Sequence, residues 1–308
     1  MTQETHDALL DAAQAFGLEL PDTSVPGEGY VQANGLRMHY LDWGGTGTPV
    51  LFLHGGNQTA HTWDLVCLQL RGDFHCLALD QRGHGETEAP KDSDGSPQAQ
   101  REDVREAIEA LGLERLVLVG MSMGGLNTIA YSGRYPDRLL AVAIVDVGPT
   151  IQRKGFDEVG NFIRGRREFD SIDDALEYAH KFNPLRPKAH LRYSLLHALK
   201  QRDDGKWTWK YGQGQSQGEV SKEEREKQAQ KALQANEKLW EEVPRIPCPT
   251  LVFHGKESTV FHREDAEKLA ATLPNGRCVT IEGAGHTVQG DQPRAFADTL
   301  RGFLREVL

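Results

Sequence analysis

The sequence predicts an α/β fold: a mostly parallel, doubly wound sheet with a helical cap inserted into it. Three observations carry that expectation. From residue 30 onward, short β-rich runs alternate with helical segments. Several runs are continuously apolar, among them Val50-Leu51-Phe52-Leu53 and Leu116-Val117-Leu118-Val119, as befits strands covered by helices on both faces. The alternation stops after Gly148 and resumes at Pro247, and about 95 residues are too many for a structureless connection in a compact domain.

Taken in order, residues 1–29 read as an N-terminal extension. Leu9, Leu10, Ala13 and Phe16 have helical spacing, and Pro21 and Pro26 act as helix breakers beyond them. Strands are expected at Leu36–Leu41, Val50–Leu53, Phe74–Asp80, Leu116–Gly120, Leu139–Val147, Thr250–His254 and Arg277–Ile281. Helices are expected near 60–70, 98–111, 124–134, 262–273 and 292–307. The organisation predicted is thus a core of residues 30–147 and 244–308 and a helical cap of residues 148–243. The cap holds long charged helices at Lys222–Glu242, in which charge-rich Lys222–Lys231 reads as a solvated helix face, and a polar Gly/Gln run, Gly212–Gly218.

The chain of 308 residues has a net charge of −10, which repels phosphate and argues against nucleic acid or an anionic membrane as partner. The cap stretch has 18 basic against 16 acidic residues, so the acidic surplus lies in the rest. With 38% apolar and 26% charged residues the composition is globular. The longest strongly apolar stretch, Leu139 to Val147, is far short of the ~20 residues that span a bilayer. No basic segment precedes an apolar core at the N-terminus, so no signal peptide is expected. Cys67, Cys76, Cys248 and Cys278 form no C-x-x-C pair and read as free thiols of a reducing, cytoplasmic compartment. No metal-ligand cluster or phosphate-cradling loop is visible, so neither metal nor cofactor is expected. The oligomeric state is left open.

The chemistry-bearing motif is Gly120-Met121-Ser122-Met123-Gly124, directly after a strand and before the small-residue helix Gly125-Leu126-Asn127-Thr128-Ile129-Ala130-Tyr131. A G-x-S-x-G turn between strand and helix strains the backbone of its central residue and lifts the serine oxygen clear of the sheet. Gly214-Gln215-Ser216-Gln217-Gly218 repeats the pattern, but without a strand before it or a helix after it; Ser122 is the candidate nucleophile. A serine hydroxyl needs a base. Of twelve histidines, His286 stands out in Gly283-Ala284-Gly285-His286, a loop between the last strand and the last helix. Loops at strand carboxyl ends converge on one edge of such a sheet, which brings this one toward Ser122.

Four ordered motifs now resemble the α/β-hydrolase family over about residues 30–308: His54-Gly55-Gly56-Asn57, Asp80-Gln81-Arg82-Gly83-His84-Gly85, Gly120-Met121-Ser122-Met123-Gly124-Gly125 and Gly283-Ala284-Gly285-His286. The resemblance implies an oxyanion hole from the backbone amides of Gly56 and Met123, with the Asn57 side-chain amide beside them. It implies loop-bracing roles for His54, Asp80, Arg82 and His84. One departure matters. In most relatives the acid follows the strand before the last helix pair, three or four residues after a glycine; here the glycine is Gly255, and Ser258 and Thr259 occupy those positions. Asp146, at the end of the strand after the nucleophile, is the replacement, as in certain lactonases and haloalkane dehalogenases of the fold; Glu257 is the alternative. His61 and Trp63 are candidates for the pocket wall. Trp207 and Trp209, in the aromatic cluster Trp207-Thr208-Trp209-Lys210-Tyr211, are candidates either for substrate contact or for packing against the core.

The expected function is a serine hydrolase cleaving a small to medium carboxylic ester or lactone through an acyl-enzyme. Two alternatives stand beside it. One is a C–C bond hydrolase of ring-cleavage products, whose relatives keep the acid at the position lost here. The other is a ligand receptor on a hydrolase scaffold, kept open by the missing carboxylate at Thr259. Epoxide hydrolysis and dehalogenation in this fold use an aspartate where Ser122 stands.

Overall fold

The structure, a computed structural model, describes residues 1–91, 94–152, 155, 157, 160–161, 165–210 and 222–308. The Gly214–Gly218 repeat and Tyr211 lie outside the described residues.

Eight strands form the main sheet: β1 (Gly27–Ala33), β2 (Leu36–Asp42), β3 (Pro49–Leu53), β4 (His75–Leu79), β5 (Leu116–Met121), β6 (Leu139–Val145), β10 (Thr250–Gly255) and β11 (Gly276–Ile281), in the spatial order β1-β2-β4-β3-β5-β6-β10-β11. From β4 onward the neighbours run parallel, whereas β1 on β2 and β2 on β4 are antiparallel. Strand alternation feeds two cores. Val50, Phe52, Val117 and Val119 face one side, where they meet α2 (Asp64–Leu70) and the C-terminal helix Pro293–Val307. Leu51, Leu53, Leu116 and Leu118 face the other, against α3 (Pro97–Ala110), α4 (Met123–Arg134) and the helix Arg263–Thr272. The start of α3 is written in the sequence: Pro97 needs no amide partner at the first turn, and the Ser96 hydroxyl accepts from Ala99 N at 3.2 Å.

Two features differ from the sequence reading. The sheet begins at Gly27, because two glycines in Gly27–Ala33 mask a strand that pairs along its whole length with β2. The extension before it, α1 (Gln3–Ala15), buries Leu9, Ala12 and Ala13 in the core on the α2 side.

Between β6 and β10 the chain leaves the sheet. The described part holds α5 (Ile172–Phe182), α6 (Lys188–Ala198) and α7 (Lys222–Glu237), and a small antiparallel sheet of β7 (Glu168–Phe169), β8 (Leu199–Gln201) and β9 (Trp207–Trp209) that the sequence reading did not anticipate. Phe169, Ile172, Ala175, Leu195, Leu199 and Trp209 give this segment a core of its own. Helix α1 packs against α6, with the Phe16 ring edge-on to His190 at 5.3 Å. The short α8 (Val288–Asp291) precedes the C-terminal helix and comes after the loop that carries His286.

Candidate active site

The four motifs that carry the family resemblance lie at the carboxyl edge of the parallel strands. Ser122 ends β5 and caps α4 with φ +51° and ψ −118°, a left-handed backbone that costs a non-glycine residue about 1–3 kcal/mol and persists only where the surroundings enforce it. They do so closely. A Cβ on Gly120 would sit 2.2 Å from Gly124 O, and one on Gly124 would sit 2.3 Å from Leu53 O, so only glycine lets the turn close. Ser122 N donates to Val145 O at 3.1 Å and Gly124 N to His54 O at 3.1 Å, which ties the turn to β6 and to the loop after β3.

The structure brings Ser122, His286 and Asp146 into one hydrogen-bonded chain. The Ser122 hydroxyl lies 3.0 Å from His286 Nε2, and His286 Nδ1 lies 2.9 Å from Asp146 Oδ2. Asp146 is fully buried and His286 partly exposed to the cleft. Asp146 also has a left-handed backbone, φ +49°, and its other oxygen accepts from Gly255 N at 2.8 Å. A carboxylate on Nδ1 fixes the imidazole as the tautomer with its free lone pair on Nε2, toward the serine. Glu257 is exposed on the cleft rim and makes no bond to His286 among the described residues.

Gly56, Asn57 and Met123 line the cleft beside Ser122. Asn57 holds φ +62°. Met123 N stands at the first turn of α4, where amides have no intrahelical acceptor and the helix end is positive. His54 faces inward. Its Nδ1 donates to Gly55 O at 2.7 Å and its Nε2 accepts from Gln81 N at 3.0 Å. Burial, helped by His84, pushes its pKa down to about 4, so it is a neutral strut for the loop. Asp80 braces the same region: burial raises its pKa, but bonds from His39 at 2.8 Å and Ala60 N at 2.7 Å bring it to about 2. Arg82 forks onto the buried Asp103.

Two pocket candidates are corrected. Trp63 is fully buried, packed between Phe52 and Phe296 at ring distances of 5.0 and 5.8 Å. It lies on the inner face of its turn, so it belongs to the core and not to the cleft. Trp207 shares a face of β9 with Trp209 and packs against the same small core of the segment between β6 and β10, but it does not line the cleft. Trp209 does line the cleft, with its indole edge-on to Phe169 and its N–H donating to Arg166 O at 3.1 Å. His61 also lines it.

The cleft measures about 1990 Å³ and mixes apolar walls, from Met121, Leu126, Leu195 and Val260, with polar ones. Two polar residues near the proposed triad were not among the site residues read from the sequence. Arg186, in the turn before α6, donates from Nε and Nη2 to Asp291 Oδ1 at 3.0 and 2.8 Å. The second oxygen of Asp291 accepts from Gly285 N at 3.0 Å, one residue before His286. These partners are 105 residues apart, with no local pattern to pair them. Ser258 is the other case. It donates to Asp146 Oδ2 at 2.5 Å, and the only sequence signal was its standing where an acid is usual.

Among the described residues, one group has the donor types of a metal site: His61, Asp64 and His197, whose ligand atoms lie within 4.8 Å of one another. Asp64 already accepts from His61 at 2.7 Å, from Trp43 at 3.1 Å and from Tyr193. The two imidazoles stack, with centroids 3.4 Å apart and planes at 26°, so their in-plane lone pairs do not converge on a common point. The arrangement fits a buried polar junction better than an ion site.

The comparisons agree with this architecture. A family model described as alpha/beta hydrolase fold matches residues 48–293. The chain is 31% identical over 303 residues to the esterase Rv0045c of Mycobacterium tuberculosis, spanning 96% of this chain and 94% of that one. A solved structure of that esterase superposes with a TM-score of 0.74 at 28% identity, covering 99% of this chain and all of the other (100%). Protein phosphatase methylesterase 1 of Bos taurus is 32% identical over a shorter stretch of 166 residues, 51% of this chain and 43% of its own. By sheet, by elbow and by descent, the chain belongs to the α/β-hydrolase fold family.

Proposed function

We propose that the protein is a serine hydrolase that cleaves carboxylic esters, lactones included, of small to medium size through an acyl-enzyme. The observation that carries this reading is the hydrogen-bonded chain from Ser122 through His286 to Asp146, at 3.0 and 2.9 Å, beneath a strained serine turn. The resemblance to the M. tuberculosis esterase supports the ester as substrate class.

In this reading each group has a definite role. Ser122 Oγ attacks the acyl carbon while its proton passes to His286 Nε2. Asp146 keeps the Nδ1 proton in place and stabilises the imidazolium. The carbonyl oxygen becomes an oxyanion and accepts from the Gly56 and Met123 amides, each such donor being worth about 10²–10³ in turnover. His286 returns its proton to the leaving alcohol. A water then gives its proton to His286 and attacks the acyl-enzyme, and the acid leaves with Ser122 restored. In this reading the segment between β6 and β10 is a cap that encloses the substrate, and the four free cysteines suit a reducing cytoplasm.

Steady-state assays with p-nitrophenyl acetate, p-nitrophenyl butyrate and a set of lactones test the proposal. Continuous turnover of the esters is expected. A stoichiometric burst without turnover would point to a receptor. Silence on esters with cleavage of a ring-fission dienoate would point to C–C hydrolysis.

A further inference from the structure

We infer that Ser258 is a positioning residue for the reaction, the group that holds the Asp146 carboxylate in the orientation His286 needs. The inference rests on the triad reading above and extends it by one residue.

The carboxylate is held on every side that the sheet allows. Asp146 is fully buried, where an ionised carboxylate is tolerated only if its lone pairs are met by donors. Gly255 N meets Oδ1 at 2.8 Å. Oδ2 receives two bonds, His286 Nδ1 at 2.9 Å and Ser258 Oγ at 2.5 Å. Ser258 therefore donates to the same oxygen that takes the imidazole proton. Its hydroxyl is in turn oriented by backbone: Val260 N and Phe261 N point at Ser258 Oγ from 3.3 and 3.4 Å, leaving the hydroxyl hydrogen for the carboxylate. Amide donors on a hydroxyl oxygen polarise it into a better donor, and a bond to an ionised acceptor is about twice as strong as a neutral one.

The contact has two effects. Ser258 fixes the rotation of the Asp146 side chain, because Oδ1 is pinned by β10 and Oδ2 by residue 258, and the imidazole then meets an oxygen already in place. Ser258 also shares the negative charge of Oδ2 with His286. Removing the hydroxyl leaves that charge to the imidazole alone, which favours the imidazolium over the neutral ring. The remaining charged groups beside the dyad are Glu257, exposed on the rim, and the Arg186–Asp291 pair, whose carboxylate bonds to Gly285 N. They are left in place by any change at 258. The position of Ser258 also gives a physical reason why the acid can sit at the end of β6: residue 258 supplies a donor to the carboxylate instead of being one.

The test compares Ser258→Ala and Ser258→Thr with wild type, and with Asp146→Asn, in ester hydrolysis across pH. Ser258→Ala is expected to lower kcat about tenfold, the effect of losing one charge-assisted bond, with KM little changed. The acid limb of its kcat/KM profile should move to higher pH. Ser258→Thr, which keeps the hydroxyl, is expected to restore both the rate and the limb. A wild-type kcat and an unmoved limb in Ser258→Ala, with Asp146→Asn crippled, would overturn the inference and leave the triad standing. Wild-type activity in Asp146→Asn would overturn the triad itself. Should Ser258→Ala fail to fold, the near-isosteric pair Ser258→Thr and Ser258→Val makes the same comparison, since the two differ in the hydroxyl: Thr active and Val slow supports the inference, and equal wild-type rates contradict it.

Discussion

The two sides of the cleft are built on different principles. On the core side each buried polar atom of the proposed triad has its partner: Asp146 takes three donors, and His286 is engaged at both nitrogens. On the side of the proposed cap, the segment between β6 and β10, His180 Nδ1, His190 Nδ1 and His197 Nε2 are buried without a partner among the described residues. The tie from that side to the His286 loop is the Arg186–Asp291 pair. A fully satisfied network specifies one geometry, whereas buried unpaired nitrogens carry a desolvation cost that no bond offsets. Trp63 Nε1, Ser132 Oγ and Gln289 Oε1 in the core are likewise buried without a partner among the described residues, so the precision belongs to the network of the proposed triad itself and not to the core as a whole.

Substitutions on each side in turn test that contrast. The largest effect belongs to the core. Asp146→Asn should lower turnover by ~10²–10⁴, by disturbing the tautomer, whereas Glu257→Gln should stay within about twofold. The reverse ranking in a kcat comparison would move the acid to residue 257.

The cap side should show in stability. Arg186→Met leaves Asp291 buried with one oxygen unpaired, and loss of one partner of a buried pair costs about 3–5 kcal/mol. Urea unfolding measures it, and the fall in kcat should be smaller than that of Asp146→Asn. An unchanged urea midpoint would show that this pair does not tie cap to core.

The smallest effect is graded by pH. Burial, with the nearby Arg186 charge, pushes the His190 pKa down to about 3, against an ordinary value near 6.5. The unfolded chain therefore binds a proton there that the folded chain refuses between those values. Stability accordingly falls as pH drops through 6.5, with a slope of about 1.4 kcal/mol per pH unit for each such histidine. His54, with its pKa near 4, acts in the same direction over a narrower range. His190→Phe should remove one proton's worth of slope between pH 6 and 5 and leave the rest to His54, His84 and His197, which burial also pushes down. An unaltered slope would show that His190 is protonated in the folded state.

The same division explains what the sequence disclosed. That Ser122, His286 and Asp146 meet, and that Gly56 lines the cleft beside them, was legible because strand-end loops carry local signals, namely glycines where backbones nearly touch and an apolar run that stops at a polar residue. Trp63 misled because an aromatic at a turn has the same sequence signature whether it faces a cleft or a core, and only the packing of Phe52 and Phe296 decides. The strand Gly27–Ala33 was hidden by its glycines, which weaken strand propensity, and pairing with β2 overrides that weakness. In the segment between β6 and β10 only the helical stretch at Lys222–Glu242 was placed in advance; the helices Ile172–Phe182 and Lys188–Ala198 were not, nor was the small sheet, whose strands of two or three residues are shorter than any alternation that could announce them. Arg186 and Asp291 meet only because the fold brings distant turns together.

The most direct measurement is covalent labelling with a fluorophosphonate, with intact mass and peptide mapping as the readout. One adduct per chain is predicted, on Ser122, absent from Ser122→Ala and strongly slowed in His286→Ala, with both variants folded as judged by thermal melting. A label on another residue, or ester turnover in Ser122→Ala above a tenth of wild type, would contradict the account.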